Sequence, residues 1–408
     1  LPEKIRLALV GCGTVMQRHI EGYQELLKSG MRTFTVAATC DPVLDNAREA
    51  ASKMAEFQGS APKTYASLGE MLRNEGLTAA DVAVPHGYHH TTVIPCLEAG
   101  LDVMCEKPLG VSMRAGRMMV EAAERNNRLL ATAANFRRFP GQRAMKWAMI
   151  DERMIGEPQV FFCQEAGQLP SRPGGPRRAR PRVFPSARVW RMDVMMSGGG
   201  PIMDSGYHYM ETLRYFFGDA ERIYAETKNF RGPGPEAERG GVKRPQPDSW
   251  LATLTFKGGL VGTWAYAATP GMHFRLIMYY GSEGSVEDET VNVYHSFQRE
   301  GSLQRADGTV KTLEELKEAY ANSLSEGERD RVFPYGLTHG TSVECWDFLD
   351  AVANRRKPEV DGWTGLKAKA MCEAIFESAW ANRAVRVEDV FEGRVEDYQK
   401  AINEHWNL

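Results

Sequence analysis

The sequence predicts an α/β protein of two domains. Residues 1–140 form an N-terminal doubly wound parallel sheet, and residues 141–408 a C-terminal α+β domain with a mostly antiparallel sheet. Three observations predict this. At 408 residues the chain exceeds what one ordinary hydrophobic core holds. Its first third alternates short apolar runs with helix-length stretches, which implies βαβ units and a parallel, right-handed sheet. Beyond about residue 140 the alternation stops and strand patterns follow one another.

Each element follows from local pattern. Ile5 to Val10 is a short apolar run that meets a glycine turn, as suits a strand buried on both faces. A helix over about 15–28 leads to a strand from Phe34 to Cys40, which ends at Asp41-Pro42. A helix over 43–56 follows, then a strand from Asp81 to Val84 and a helix through Leu97. Asp102 to Cys105 is a strand ending at Glu106-Lys107-Pro108. A helix over 112–126 and a strand from Arg128 to Ala134 complete the first domain. In the second, a helix over 141–152 precedes a strand from Pro158 to Cys163, and a helix over 201–217 follows. Strands run from Arg222 to Thr227, Trp250 to Phe256, Leu260 to Ala267, Phe274 to Tyr280 and Gly284 to Glu287. Helices near 312–322, 340–354 and 364–382 end the pattern, and 231–247 reads as a surface loop.

Composition narrows the function. Apolar content of 43% and charged content of 25% are those of a soluble globular protein. A net charge of -3 gives no general pull toward nucleic acid or anionic membrane. No apolar run reaches the roughly 18 residues that span a bilayer, and no signal-peptide pattern precedes the first strand. The seven cysteines are odd in number and form no CxxC pair, so reduced core thiols in a cytoplasmic protein are expected, with no metal site.

The chemistry gathers at two places. Gly11-Cys12-Gly13-Thr14-Val15 follows a strand and opens a helix, the setting in which glycines admit a pyrophosphate to a helix N-terminus. Asp41, ending the second strand, can accept hydrogen bonds from ribose hydroxyls and repel a 2′-phosphate, which favours NAD over NADP. The second place combines Glu106-Lys107-Pro108, at the carboxyl end of a parallel strand, with Gly198-Gly199-Gly200-Pro201 and the residues Asp204 and His208. Four residues apart on a helix, Asp204 and His208 are expected to be neighbours, the carboxylate orienting the imidazole and raising its basicity. The glycine triplet is expected to bring backbone close to a ligand. Between the domain's first strand and this helix lies 170–188, with six arginines and five prolines. Only Phe184 offers a stacking ring there, which argues against nucleic acid. The segment is expected to border the substrate pocket or to reach a neighbouring subunit's pocket, Trp190 offering a flat apolar surface to a substrate ring and Arg191 hydrogen-bonding its polar groups.

These motifs, with Pro85-His86-Gly87-Tyr88-His89 and the stretch from Pro358-Glu359-Val360-Asp361-Gly362 to Ala384-Val385, resemble the Gfo/Idh/MocA family over nearly the whole chain. The resemblance implies a Rossmann domain joined to a domain with a large open antiparallel sheet, whose C-terminal helices pack back on the first. It implies an oxidoreductase that moves hydride between NAD and a ring hydroxyl of a sugar, glycoside or cyclitol. By the same likeness, Lys107 holds the substrate hydroxyl and the nicotinamide ribose, His208 is the acid/base, and Asp204 helps to position it. Pro85, His86, His89 and Glu106 line the cofactor or substrate pocket. Two positions depart from the pattern: Met16 stands where a small residue is usual, and Arg138-Phe139-Pro140 lacks a spacer. An NAD-assisted glycosidase and a non-catalytic sugar sensor are the competing readings. An open sheet with an apolar face also implies a homo-oligomer.

Overall fold

The run Ile5–Val10 (β1) is buried along almost its whole length, because neighbours cover both faces of the sheet it enters. In the computed structural model, which describes residues 4–167, 187–230, 246–269, 273–290 and 301–408, six parallel strands form this first sheet. They are β1, β2 (Phe34–Cys40), β3 (Lys63–Tyr65), β4 (Ala79–Val82), β5 (Asp102–Glu106) and β6 (Leu130–Ala133), in the order β3-β2-β1-β4-β5-β6. The order reverses at β1, so a crevice opens beyond the carboxyl ends of β1 and β4. Sequence pattern missed β3 and the helix Leu68–Asn74, whose Ser67 cap accepts from the Glu70 N–H. β3 is a three-residue edge strand with no buried residue, so it has no apolar run to announce it. β4 starts two residues earlier than expected, since Ala79 and Ala80 are small but fully buried.

The second sheet has nine strands in the order β14-β13-β12-β11-β7-β10-β9-β8-β15. Here β7 is Pro158–Ala166, β8 Ala220–Lys228, β9 Ser249–Phe256, β10 Val261–Ala267 and β11 Phe274–Gly281. β12 is Gly284–Glu287, β13 Ser302–Arg305, β14 Val310–Thr312 and β15 Val385–Arg386. Among the described residues of this sheet, only β7 and β10 pair in parallel. One face alternates Ile223, Trp250, Ala252, Leu254, Trp264 and Ile277 into a core shared with the helices Gly206–Phe217 and Gly362–Ala381. The other face leaves Leu251 66% exposed, with Tyr224, Val261, Phe274 and Tyr280 also exposed. The short strands β13, β14 and β15 were not read from sequence. The arginine- and proline-rich segment expected at the pocket lies largely outside the described residues, as does most of the expected loop at 231–247.

Two late helices return to the first domain. Gly340–Asn354 packs on Met16–Lys28, with Cys345, Phe348, Leu349 and Val352 joining Ile20, Tyr23 and Leu27 in one core. Lys400–Trp406 sets the Trp406 ring 5.4 Å from that of Tyr88, and its indole N–H donates to the Met195 carbonyl at 2.6 Å. The elements that carry the site are therefore braced from behind by chain far away in sequence.

Candidate active site

Gly11 turns out of β1 at φ +83°, where a Cβ would lie 2.6 Å from the Ala83 carbonyl oxygen, so only glycine lets the turn pass so close to the end of β4. At Gly13 a Cβ would meet nothing within 4 Å, so the protein itself leaves open space there. Thr14 is exposed and Val15 half-buried, so the surface above the turn is open, with the helix Met16–Lys28 starting behind it. Met16 points into the core and is fully buried, which leaves that surface free of its bulk. Asp41 ties the second strand to this turn. Its Oδ2 accepts the Cys12 N–H at 2.8 Å and its Oδ1 the Val43 N–H at 2.8 Å. The open glycine face, the helix N-terminus and the carboxylate at the end of β2 fit a dinucleotide.

Lys107 extends from the end of β5 toward the second domain. Its Nζ donates to Asp204 Oδ1 at 2.7 Å and to the Asp204 carbonyl at 3.0 Å. Arg191 Nε donates to Asp204 Oδ2 at 2.8 Å. Although burial alone would raise it, Lys107 and Arg191 hold the Asp204 carboxyl far below the usual carboxylate range. The Asp204 charge acts to raise His208, as expected, but no hydrogen bond joins the two side chains. The Asp204 carboxylate is spent on two cations, although Ser205 keeps helical dihedrals (φ -75°, ψ -39°) between Pro201–Asp204 and Gly206–Phe217. His208 instead lies against Phe136, with ring centroids 4.2 Å apart. Burial and the nearby Lys107 charge push it down to about 3, so its resting form is the neutral imidazole. The glycine triplet also has a different cause from the one expected. Cβ atoms at Gly198, Gly199 and Gly200 would collide with the Val111 carbonyl, the Phe376 ring and Gln246, so protein packing rather than a ligand demands glycine there.

Pro85 and His86 begin the loop after β4. The buried His86 ring has Nδ1 2.8 Å from the Ser197 carbonyl, which can only accept, so Nδ1 carries the proton. Burial first, then His89, pushes His86 well below the usual range, which leaves Nε2 an unprotonated acceptor. Trp190 packs edge-on to His86 at 4.8 Å, and the Arg191 guanidinium lies 4.3 Å from the Trp190 ring. His89 is fully buried: its Nε2 donates to the Val84 carbonyl at 3.0 Å, and its Nδ1, 3.1 Å from the Pro108 carbonyl, accepts the Gly110 N–H at 3.4 Å, as a neutral ring can. It therefore clamps the ends of β4 and β5 together and does not line the pocket. Glu106 Oε2 accepts the Lys107 N–H at 3.0 Å and so holds the lysine backbone.

Residues 5–134 match the model of an oxidoreductase family with an NAD-binding Rossmann fold, and residues 148–387 match that family's C-terminal α/β domain. The chain belongs to the Gfo/Idh/MocA oxidoreductase family. It is 23% identical over 385 residues to 1,5-anhydro-D-fructose reductase of Ensifer adhaerens, covering 94% of this chain and 98% of that one. It is 26% identical to D-apiose dehydrogenase of Paraburkholderia graminis, over 95% and 91% of the two chains. The same fold recurs in levoglucosan dehydrogenase bound to NADH and L-sorbose, with TM-score 0.70, 20% identity and coverage of 94% and 99%. It recurs also in the WlbA dehydrogenase of Bordetella pertussis bound to NADH and UDP-GlcNAcA, with TM-score 0.68, 22% identity and coverage of 94% and 98%.

Within this Gfo/Idh/MocA framework, two residues at the site escaped the sequence reading. Phe136 follows β6 and backs His208; an aromatic residue after a buried strand carries no local mark of that role. Arg18, exposed on the first turn of the helix behind the glycine turn, adds a cation whose charge also bears on His208. Its sequence signal was a basic residue one turn into a helix that follows a glycine turn.

Proposed function

We propose that this protein is an NAD-dependent dehydrogenase that oxidises a ring hydroxyl of a sugar, glycoside or cyclitol to a ketone, or runs the reverse reduction. The observation that carries this reading is the pairing of a held cation, Lys107, with a neutral imidazole, His208, beside the dinucleotide crevice. When bound, NAD supplies the acceptor for the carbinol hydrogen, taken as hydride. Lys107 Nζ, anchored to Asp204, hydrogen-bonds the reacting oxygen and stabilises the negative charge that develops on it. His208 accepts the hydroxyl proton, which its neutral state permits. Phe136 fixes the plane of the His208 ring. Arg191 shares the Asp204 carboxylate with Lys107, and Trp190 beside it offers an apolar face for a sugar ring. His86, with its proton on Nδ1, has an Nε2 that accepts a hydrogen bond from cofactor or substrate in this reading. In reduction, protonated His208 returns the proton to the oxygen.

The relatives named above support a carbohydrate substrate. Screening sugars, glycosides and cyclitols for NADH formation, with product identification, tests the reading. A ketone formed in step with NADH is the expected result. Glycoside cleavage without net NADH would replace this reading with the NAD-assisted glycosidase.

A further inference from the structure

Next to Lys107 lies a buried ionic cluster that the proposed reaction does not use. His19, on the helix Met16–Lys28, is 2% exposed. Its Nδ1 is 2.8 Å from Asp81 Oδ2 on β4, and its Nε2 is 3.1 Å from Glu106 Oε1 at the end of β5. Carboxylates only accept, so both ring nitrogens must donate; the ring then carries two protons and a positive charge unless a carboxyl is itself protonated. Burial would lower His19, but Asp81 and Glu106 hold it well above the usual histidine range. Glu106, which burial would raise, is held down to about 2 by His19 first and then by Lys107.

The remaining groups around the ring are few. On its own helix, Tyr23 donates to the same Asp81 oxygen at 2.8 Å. From the helix Gly340–Asn354, the Cys345 thiol lies 3.9 Å from the His19 carbonyl, and Glu344 acts at longer range. Burial pushes Glu344 up to about 8 despite Arg138 beside it, so it is neutral at pH 7 and does not compete with Asp81 and Glu106. The connection onward is direct. The second oxygen of Glu106 accepts the Lys107 N–H, and Lys107 Nζ reaches Asp204.

We infer that His19 is a positioning residue. Clamped between Asp81 and Glu106, it keeps the Glu106 carboxylate ionised and aimed at the Lys107 backbone, and so sets where Lys107 Nζ stands and what charge His208 meets. This inference rests on the reading of Lys107 and His208 as the reacting groups. Two experiments test it. The first needs no activity: in protein labelled with ¹⁵N-histidine, His19 should show both ring nitrogens protonated at pH 7.5. A neutral ring there overturns the inference. The second uses His19→Gln, which keeps approximate volume but can donate from one end only and carries no charge. With fold verified by circular dichroism, kcat should fall roughly tenfold or more with little change in KM, as a displaced catalytic group requires. The acid limb of kcat/KM should move up by about one pH unit or more, because Glu106 without its cation takes a proton at higher pH. Adding Glu106→Gln to His19→Gln should cost little more, since both act through one carboxylate. If His19→Gln leaves kcat and the acid limb unchanged while Lys107→Ala is inactive, the inference falls and the reading of the site stands. A fully active Lys107→Ala overturns both.

Discussion

Asp41→Asn separates the two jobs of the carboxylate that ends β2. In the folded chain its two oxygens accept the Cys12 and Val43 N–H groups, each at 2.8 Å, and the side chain is only 7% exposed. Asparagine offers one oxygen and one NH2, so whichever way it turns, one of those N–H groups faces a donor. Leaving such a group unpaired costs about 1–3 kcal/mol, which lowers Tm by a few degrees in a chain of this size. The effect on cofactor choice is electrostatic. A 2′-phosphate about 4 Å from the carboxylate meets about 4 kcal/mol of repulsion per unit charge at an effective dielectric of 20. Screening by salt and solvent reduces this to roughly 3 kcal/mol, or about 10²-fold in kcat/KM. The wild type should therefore favour NAD over NADP by about 10²-fold or more, and Asp41→Asn should narrow the ratio to about tenfold. Steady-state kinetics with both cofactors, beside thermal melts of both proteins, measure the two effects separately. A wild type that prefers NADP, or a folded Asp41→Asn with an unchanged ratio, would refute the argument.

Lys107→Ala and His208→Ala should each lower kcat by roughly 10²-fold or more while the fold persists; near-normal turnover in a folded His208→Ala would assign the base elsewhere. Acid should destabilise the protein partly through His89, which burial pushes down to about 4. The unfolded ring takes a proton below about pH 6.5 and the folded ring refuses it, so stability falls by roughly 3 kcal/mol from this group as pH drops toward 4. Denaturant melts from pH 7 to 4.5 should then show a shallower acid slope for His89→Gln than for wild type, and equal slopes would contradict the assignment. Finally, the exposed apolar face of the nine-stranded sheet should be covered by a second copy in solution. Light scattering that returned 45.6 kDa at micromolar concentration would count against this.

The sequence by itself determined the plan of one parallel and one mostly antiparallel sheet. β1 and β2 were legible to the residue because strands covered on both faces are mostly apolar runs, a signal carried by neighbouring residues. The places of the glycine turn, Asp41 and Lys107 at the ends of β1, β2 and β5 were legible for a similar reason, since their own neighbours define those boundaries. Tertiary structure decided which groups meet. Asp204 was expected to serve His208 from one helix turn away, but its carboxylate is taken by Lys107, 97 residues earlier, and by Arg191. The glycine triplet was expected to clear space for a ligand and instead clears space for Val111, Phe376 and Gln246. His89 read as a pocket residue and proved to be a buried clamp; His19 drew no notice and holds two carboxylates from β4 and β5. Helix and strand formation depend on spacing along the chain, which a sequence displays. The charge on a buried carboxylate or imidazole depends on which partners packing brings within about 3 Å, and those partners come from strands and helices that only the folded chain brings side by side.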